Sequence, residues 1–577
     1  MGPQEPLDAP YKKGDVIEGE YEIGDIIGRG DFGVVYKAYS IEDRDVYALK
    51  TLRSELSDDP LARELFLQEI NIWVDLGAHP YIVEAHRVRI IQGRMHIALE
   101  YIAPRGEGVF SSLEWRRDFS QPDKPPIATN AQERSKNTLE WYLKNDSPDL
   151  SQAVRWAIQF CYGMEHAYSK GVCHGDIKAD NILISPQKTL KITDFGLAVA
   201  ARSYLGLSRK TPENDRCTER TDICDFGIVL DKIASAIRPQ PPSQSDSELN
   251  LLAKRCGGTD RSPEYETFAE LRKDLEDLLL SETGETFSPP EPKEVTIERL
   301  NGRGNNLAEL GRPTEALECF DRALDKLGPA AELVPSSAII WNNKGQTLDQ
   351  MKKHAAATIC LDKALKLAPN CGPAIYNKGI NCVMIEDFEG AADYFDRYAY
   401  LDPGASVPNK AIIRLMRPEA LYHKANCYYR AACPLQAIEV FDEAIEGDPT
   451  RAVFRNDKGC ALAELRRFDE AIECFDAAID IDPQDRIARR NKSRAVLEQG
   501  NNHFYSRDYG GARSLYNKSA EIDSQFPAAW FDMAWTELTL GLNSECVTSC
   551  LRFLTVVPID YERRYFGLAF AMLGLNK

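Results

Sequence analysis

The pattern of apolar and polar positions changes character near residue 290. Up to about residue 283, short β-like apolar runs alternate with stretches of helical period; beyond about residue 294 almost every stretch has the helical period. Val34-Val35-Tyr36-Lys37-Ala38 and Tyr47-Ala48-Leu49-Lys50, rich in β-branched and aromatic residues, predict strands. Phe66–Val74 predicts a helix, as do Asp222–Ile237, Glu248–Cys256 and Glu266–Leu280. Between the two regimes, Gly284-Glu285-Thr286-Phe287-Ser288-Pro289-Pro290-Glu291-Pro292 suits neither helix nor sheet and predicts a semi-rigid linker.

The helical half repeats itself. Small residues stand at Gly304, Gly345, Gly379, Ala425, Gly459, Gly500 and Ala534, spaced by 41, 34, 46, 34, 41 and 34 residues. Twelve positions after each comes Ala316, Ala357, Ala391, Ala437, Ala471, Ala512 or Cys546, and four further on Phe320, Leu361, Phe395, Phe441, Phe475, Tyr516 or Cys550. Pro369, Pro403, Pro449, Pro483 and Pro558 close five of the units. Small residues let paired helices approach, large ones fill the gap to the next pair, and proline ends a helix because it cannot continue the hydrogen-bond ladder. The pattern resembles the tetratricopeptide repeat, which implies an α-helical solenoid of seven repeats over 296–577, with Tyr561–Lys577 as a capping helix. The longer spacings read as loop insertions, Gly404–Pro418 among them. Lys344, Lys378, Lys424 and Lys458 recur at one position and read as a solvated face. Asn343 and Asn377 are candidates for binding an extended peptide backbone, with repeat consensus as the plainer alternative. Asn301 and Asn377 stand where carboxylate-clamping arrays carry basic residues, so no chaperone-tail binding is expected.

The first half carries a different set of motifs. Gly28-Arg29-Gly30-Asp31-Phe32-Gly33 is followed by a strand-like run rather than a helix, which argues against a dinucleotide fold. A glycine loop between strands lets backbone N–H groups approach phosphate, and Phe32 would cap its tip. Further on come Lys50, Glu69 within a helix, Leu99-Glu100-Tyr101-Ile102, His174-Gly175-Asp176-Ile177-Lys178-Ala179-Asp180-Asn181, Asp194-Phe195-Gly196, Thr211-Pro212-Glu213 and Asp222. In this order and spacing they resemble the protein kinase family, of the serine/threonine class because Lys178 follows Asp176 by two residues. The short activation segment and repeat tail resemble bacterial kinases.

That resemblance implies a multidomain chain of α+β and all-α parts. The expected organisation is a tail (1–14), a bilobal kinase domain (15–283, β-rich then helical, with a polar insertion at about 103–137), a linker (284–295) and the solenoid. It also implies roles. Gly28, Arg29, Gly30, Asp31, Phe32, Gly33 and Val35 would cover ATP. Ala48, Glu100, Ile102 and Leu183 would enclose adenine beside Leu99. Lys50 would clamp the phosphates, oriented by Glu69, and Asn181 and Asp194 would hold Mg²⁺, with Mn²⁺ possible. Asp176 would accept the hydroxyl proton, Lys178 would neutralise the transferred phosphoryl group, and Asp222 would support the catalytic loop.

Departures from the family pattern accompany the match. Gly175 replaces the arginine that ordinarily meets an activation-segment phosphate, so activation is expected not to require one. Ser203, Tyr204, Ser208 and Thr211 are candidate phosphosites in that segment. The segment from Asp194 to Glu213 is compact, and the helical lobe after Asp222 is short. Trp115 and Arg116-Arg117, within the insertion, are candidates for a contact at the cleft mouth.

Composition narrows the remaining choices. Of 577 residues 43% are hydrophobic and 28% charged, enough to build cores. A net charge of −19 speaks against gross electrostatic binding to nucleic acid or anionic membrane; about 13 of the excess charges lie before residue 291. An acidic catalytic part would favour neutral or basic acceptor regions, as a salt-sensitive bias. The start of the chain shows no basic segment with an apolar run, and no stretch of 18 apolar residues occurs. The 15 cysteines include no Cys-x-x-Cys pair and read as reduced thiols of a cytoplasmic protein. Three readings compete: a signalling protein kinase whose repeats recruit a protein substrate or regulator, a catalytically silent scaffold, and a small-molecule phosphotransferase, which His174-Gly175-Asp176 would also suit.

Overall fold

β-Branched and aromatic residues open the described chain as a six-stranded antiparallel sheet. The computed structural model describes residues 9–104, 137–195, 218–237, 244–257, 263–291, 295–401, 410–557 and 567–573, apart from positions 18, 31, 42, 43, 92, 570 and 572. Strands β1 (Val16–Ile17), β2 (Tyr21–Arg29), β3 (Gly33–Ser40) and β4 (Val46–Leu52) lead into helix α1 (Pro60–Leu76), and β5 (Ala85–Ile91) and β6 (Arg94–Glu100) follow. The strand order is β1-β2-β3-β4-β6-β5, so β5 forms an edge. Helix α1 starts where the Asp59 carboxylate accepts the Leu61 and Ala62 N–H groups, with Pro60 in the first turn. It ends at Gly77, whose φ of 64° only glycine adopts cheaply. Ala62, Leu65, Phe66, Glu69, Ile70 and Trp73 make its inward stripe at helical spacing.

A mainly helical lobe follows: α2 (Leu139–Asn145), α3 (Leu150–Ser169), the two-stranded ribbon β7 (Ile182–Ile184) and β8 (Leu190–Ile192), then α4 (Glu219–Ser235), α5 (Gln244–Arg255) and α6 (Phe268–Thr283). The last three match the expected helices within a few residues. Thr218 and Thr267 set the starts of α4 and α6 by accepting N–H groups of Thr221 and Glu270. Phe160 of α3 stacks on Phe226 of α4 at 4.0 Å, with Phe268 edge-on at 5.9 Å, and this aromatic group centres the lobe. The proline-rich stretch is more than a spacer. Phe287 stacks on Tyr162 at 5.8 Å and Glu285 pairs with Arg155, which ties the stretch to α3.

Fourteen further helices run from α7 to α20 among the described residues: α7 (Ile297–Glu309), α8 (Pro313–Leu327), α9 (Ala338–Gln350), α10 (His354–Leu367), α11 (Gly372–Met384), α12 (Phe388–Ala399), α13 (Lys410–Arg430), α14 (Pro434–Gly447), α15 (Ala452–Glu464), α16 (Phe468–Ile481), α17 (Arg486–Tyr505), α18 (Tyr509–Ile522), α19 (Pro527–Thr539) and α20 (Asn543–Val556). By packing the chain divides into two compact units, Met1–Met351 and Lys352–Lys577. The division therefore falls among the helices of the second half, after α9, rather than at the proline-rich stretch.

The small-to-large pattern has a steric cause. A Cβ at Gly304, Gly379, Gly459 or Gly500 would lie 2.5, 2.9, 2.6 and 2.6 Å from the ring of Phe320, Phe395, Phe475 and Tyr516, sixteen residues on in each case. Of the longer spacings, the first is a loop insertion, taken up by the connection 328–337 between α8 and α9, whereas the other two carry added helix. Helix α13 extends from Lys410 through Pro418, and α17 carries two extra turns, so that Ser493 and Gly500 both serve as close-approach points. Around Ser493, its hydroxyl bonds Ser519 within a buried pair. Most of Tyr561–Lys577 lies outside the described residues, though Gly567 meets Phe553 as the earlier glycines meet their rings.

The recurring lysines are not a solvated face. Lys344 pairs with Asp321, Lys378 with Asp362 at 2.6 Å, Lys424 with Asp396 at 2.5 Å, Lys458 with Asp442 at 2.5 Å, and Lys492 with Asp476. Each aspartate directly follows the large residue of the preceding hairpin, so every pair ties one hairpin to the next. Asn343 is also occupied: it donates to Asn301 Oδ1 at 3.0 Å and accepts from Asn342, an arrangement repeated by Asn491 donating to Asn456 at 2.9 Å. These amides link neighbouring first helices instead of waiting for a peptide.

Candidate active site

The glycine loop is the β2–β3 hairpin. Gly30 N–H donates to Gly33 O at 2.9 Å, and Arg53 fastens the loop from β4's end by donating to Gly30 O at 2.6 Å. A Cβ at Gly30 would meet nothing within 4 Å, whereas one at Gly33 would press on Thr51 O at 3.1 Å. Gly28 lies opposite Val35, and Arg29 ends β2. Asp31 lies outside the described residues. The Phe32 ring does not cap the tip; it is buried in the main apolar cluster with Leu52 and Phe66, where removing an aromatic ring from water stabilises the fold.

Register then delivers the next groups. Val35 pairs with Lys50 across β3 and β4, and Ala48 pairs with Leu99 across β4 and β6. Lys50 Nζ lies 2.5 Å from Glu69 Oε1 of α1 and 3.0 Å from Asp194 Oδ1. Burial works against the Lys50 charge, but the Asp194 and Glu69 carboxylates outweigh it and hold the ammonium more firmly protonated than usual. Glu69 is pushed up by burial, with Lys50 pulling the other way. Asp194 also meets a burial penalty, which the Lys50 charge more than offsets, so its carboxyl lies below the ordinary value. Asp194 adopts a φ of 61°, a left-handed conformation that costs a non-glycine residue about 1–3 kcal/mol. Phe195 supports it from beneath, fully buried, edge-on to Trp73 of α1 at 5.8 Å and 4.8 Å from the His174 ring.

The loop from His174 to Asn181 hangs from one buried carboxylate. Asp222 of α4 accepts His174 N–H at 2.8 Å, Gly175 N–H at 2.9 Å and the Tyr168 hydroxyl at 2.6 Å. Gly175 has a φ of 76°, so glycine here relieves backbone strain as well as lacking a guanidinium. His174 donates from Nε2 to Thr193 O at 3.0 Å and accepts Asp176 N–H at Nδ1, 3.3 Å away, which needs the neutral ring; burial lowers its pKa accordingly. Asn181 Nδ2 donates to both the backbone oxygen and Oδ2 of Asp176, at 2.9 and 3.0 Å. Lys178 Nζ meets the same Oδ2 at 2.5 Å. The Asn181 amide nitrogen is thus spent on Asp176, which leaves its oxygen and the Asp194 carboxylate as the groups of this site whose oxygens could hold a hard divalent cation.

Leu183 lies in β7, and Ile102 is buried just beyond the end of β6 at Glu100. Three contributors went unread in the sequence. Lys191, in the middle of apolar β8, pairs with Glu100 at 2.8 Å; Asn137 donates to Ile102 O at 2.6 Å; Trp73 buttresses Phe195. A lysine inside the apolar Leu190-Lys191-Ile192 run was the one usable signal. Gly196, Thr211-Pro212-Glu213, the candidate phosphosites Ser203, Tyr204 and Ser208, Trp115 and Arg116-Arg117 lie outside the described residues. No helix among the described residues is long and apolar enough to cross a membrane.

Residues 21–218 match the protein kinase domain, and residues 338–371 and 456–527 match tetratricopeptide repeats. Among similar proteins, a CBL-interacting serine/threonine-protein kinase 15 of Arabidopsis thaliana is 29% identical over 263 residues, covering 43% of this chain and 53% of that one. The serine/threonine-protein kinase PknD of Chlamydia muridarum is 25% identical over 318 residues, covering 46% and 32%. The probable serine/threonine-protein kinase PknB of Lactococcus lactis is 26% identical over 256 residues, covering 42% and 35%. The chain spans about a third to just over half of the length of these relatives.

Proposed function

We propose that this chain, which carries a protein kinase domain followed by tetratricopeptide repeats, is an ATP- and Mg²⁺-dependent serine/threonine protein kinase of the cytoplasm. The observation that carries the reading is the pair of anchored clusters: Lys50 joined to both Glu69 and Asp194, and Asp176 held by both Asn181 and Lys178. A silent scaffold has no need to keep a buried lysine between two carboxylates, because each buried charge costs several kcal/mol to desolvate.

Mg²⁺-ATP, when bound, supplies the γ-phosphoryl group and neutralises its charge. Asn181 Oδ1 and Asp194 would hold the cation. Lys50, kept charged and aimed by Glu69, would fix the α- and β-phosphates. Gly28, Gly30 and Gly33 let the loop backbone approach, and Val35, Ala48, Ile102 and Leu183 would enclose the base with the Glu100–Ile102 backbone. Asp176 orients the acceptor hydroxyl and takes its proton, and Lys178 moves from Asp176 to the transferred oxygens as charge builds there. The repeats would recruit the substrate or a regulator in a signalling pathway, and the acidic catalytic part would favour neutral or basic acceptor segments.

The test is transfer from radiolabelled ATP by the full chain, with phosphoamino-acid analysis. Mg²⁺-dependent labelling of serine or threonine is expected, falling about 10²–10⁴-fold in Asp176→Asn. A wild-type chain that binds no nucleotide and labels nothing sinks the proposal.

A further inference from the structure

The unit that holds the candidate active site does not stop at the kinase lobes. Helices α7 and α8, the first hairpin of the repeat half, belong to it, and α7 lies along the edge strand β5. Asn306 of α7, 4% exposed, completes that edge: its Oδ1 accepts Val88 N–H at 2.9 Å and its Nδ2 donates to His86 O at 3.3 Å. One side-chain amide thus fills a rung that an edge strand otherwise leaves to water. Leu300 and Leu307 of α7 join the same apolar cluster as Val88 and Trp73.

The second grip falls on α1. Arg312, at the start of α8, has its guanidinium held by Glu315 at 2.7 Å through two nitrogens. From there it donates to Asn71 Oδ1 at 3.2 Å and meets Asp75 Oδ1 at 3.0 Å. At about 100° per residue, Asn71 and Asp75 lie roughly 200° and 240° around α1 from Glu69. One side of α1 therefore presents Glu69 to Lys50, and Trp73 to Phe195, while the far side is held by the hairpin. Arg299 adds a longer contact to Glu84 at 3.4 Å, just before β5.

The structure assigns to this hairpin the positioning of Glu69: we infer that Asn306 and Arg312 hold α1 against the sheet, so that the first repeat activates the site instead of obstructing it. This rests on the proposed reading for its nucleotide-affinity and activity arms, while the exchange arm stands apart from it. Arg312 is the sharper probe, because its guanidinium is partly exposed and its loss need not unfold the chain.

The experiment compares full-length wild type, Arg312→Ala, Arg312→Lys, Asn306→Ala and, as a distant ion-pair control, Lys458→Met. Hydrogen exchange is followed in 60–76 and 150–169, affinity is measured with a fluorescent ATP analogue, and kcat and KM for ATP come from autophosphorylation. Arg312→Ala should speed exchange in 60–76 but not in 150–169, weaken nucleotide affinity about 5–10-fold and lower kcat by a similar factor. Arg312→Lys should recover part of each, and Lys458→Met should change none. Unchanged exchange in 60–76, equal acceleration in both segments, or local loosening without loss of nucleotide affinity each overturns the inference. A wild-type chain that binds nucleotide but transfers no phosphate defeats the kinase reading alone, and the exchange and affinity arms still decide this one.

Discussion

At the residue scale, the decisive side chains are those with several obligations. Asp222 receives three donors in a fully buried place, and an amide has only one oxygen to offer. Asp222→Asn should therefore orphan at least one buried N–H and lower stability by about 1–3 kcal/mol, read as a shifted urea midpoint. His96 offers a pH test. It is buried in β6 with its Nε2 2.8 Å from the Tyr11 hydroxyl, and burial pushes its pKa down to about 4 against the opposing hydrogen bonds of the Arg94 and Arg89 backbone. A histidine lowered on folding stabilises fully above about 6.5 and loses that contribution as pH falls toward 4, on the order of 3 kcal/mol in total. Unfolding free energy should fall more steeply between pH 6.5 and 5 in wild type than in His96→Gln; equal slopes refute it. Lys50, Glu69, Asp176, Asn181 and Asp194 were legible as candidates because their spacing is distinctive. Lys191, Asn137 and Trp73 were not, because each acts through a neighbour distant in sequence.

At the element scale, helical pairing was legible and its connections were not. A glycine and a ring sixteen residues apart can be read from the chain, and the steric reason is a Cβ that would sit well inside contact distance. Gly459→Ala should destabilise the chain by about 1–3 kcal/mol despite alanine's better helix propensity, and Gly459→Ala/Phe475→Leu should recover part of the loss in the same thermal melts. The spacing from Gly304 to Gly345 is lengthened by a connection as its pattern suggests, yet those from Gly379 to Ala425 and from Gly459 to Gly500 contain the long helices α13 and α17. An extra turn or two leaves the apolar period intact, so periodicity alone does not tell a longer helix from a loop. The lysine row misled for a related reason: a cation beside acids at helical spacing resembles a solvated face, and only the neighbouring hairpin shows that Asp442 waits for Lys458. Such half-exposed pairs are weak, so Lys458→Met should cost under about 1 kcal/mol, less still at high salt.

At the scale of the molecule, packing divides the chain after Met351, so the first hairpin and α9 belong with the sheet. A chain ending at 351 should melt cooperatively, whereas one ending at 283 should melt at least about 5 °C lower, having lost Asn306 from the β5 edge and Arg312 from α1. Equal melting temperatures would show that the hairpin contributes nothing there. The sequence by itself determined the kinase-like motifs, the helical repeat and the acidic balance, because these depend on residue type, order and period. Only the tertiary structure decided that Phe32 turns inward, that the lysines bridge hairpins, and that the first hairpin grips α1 and β5. The grip of the first hairpin joins residues more than 200 positions apart, as Val88 and Asn306 are, and even the lysine bridges cross from one helix to another; local pattern carries no record of which surface a helix will meet.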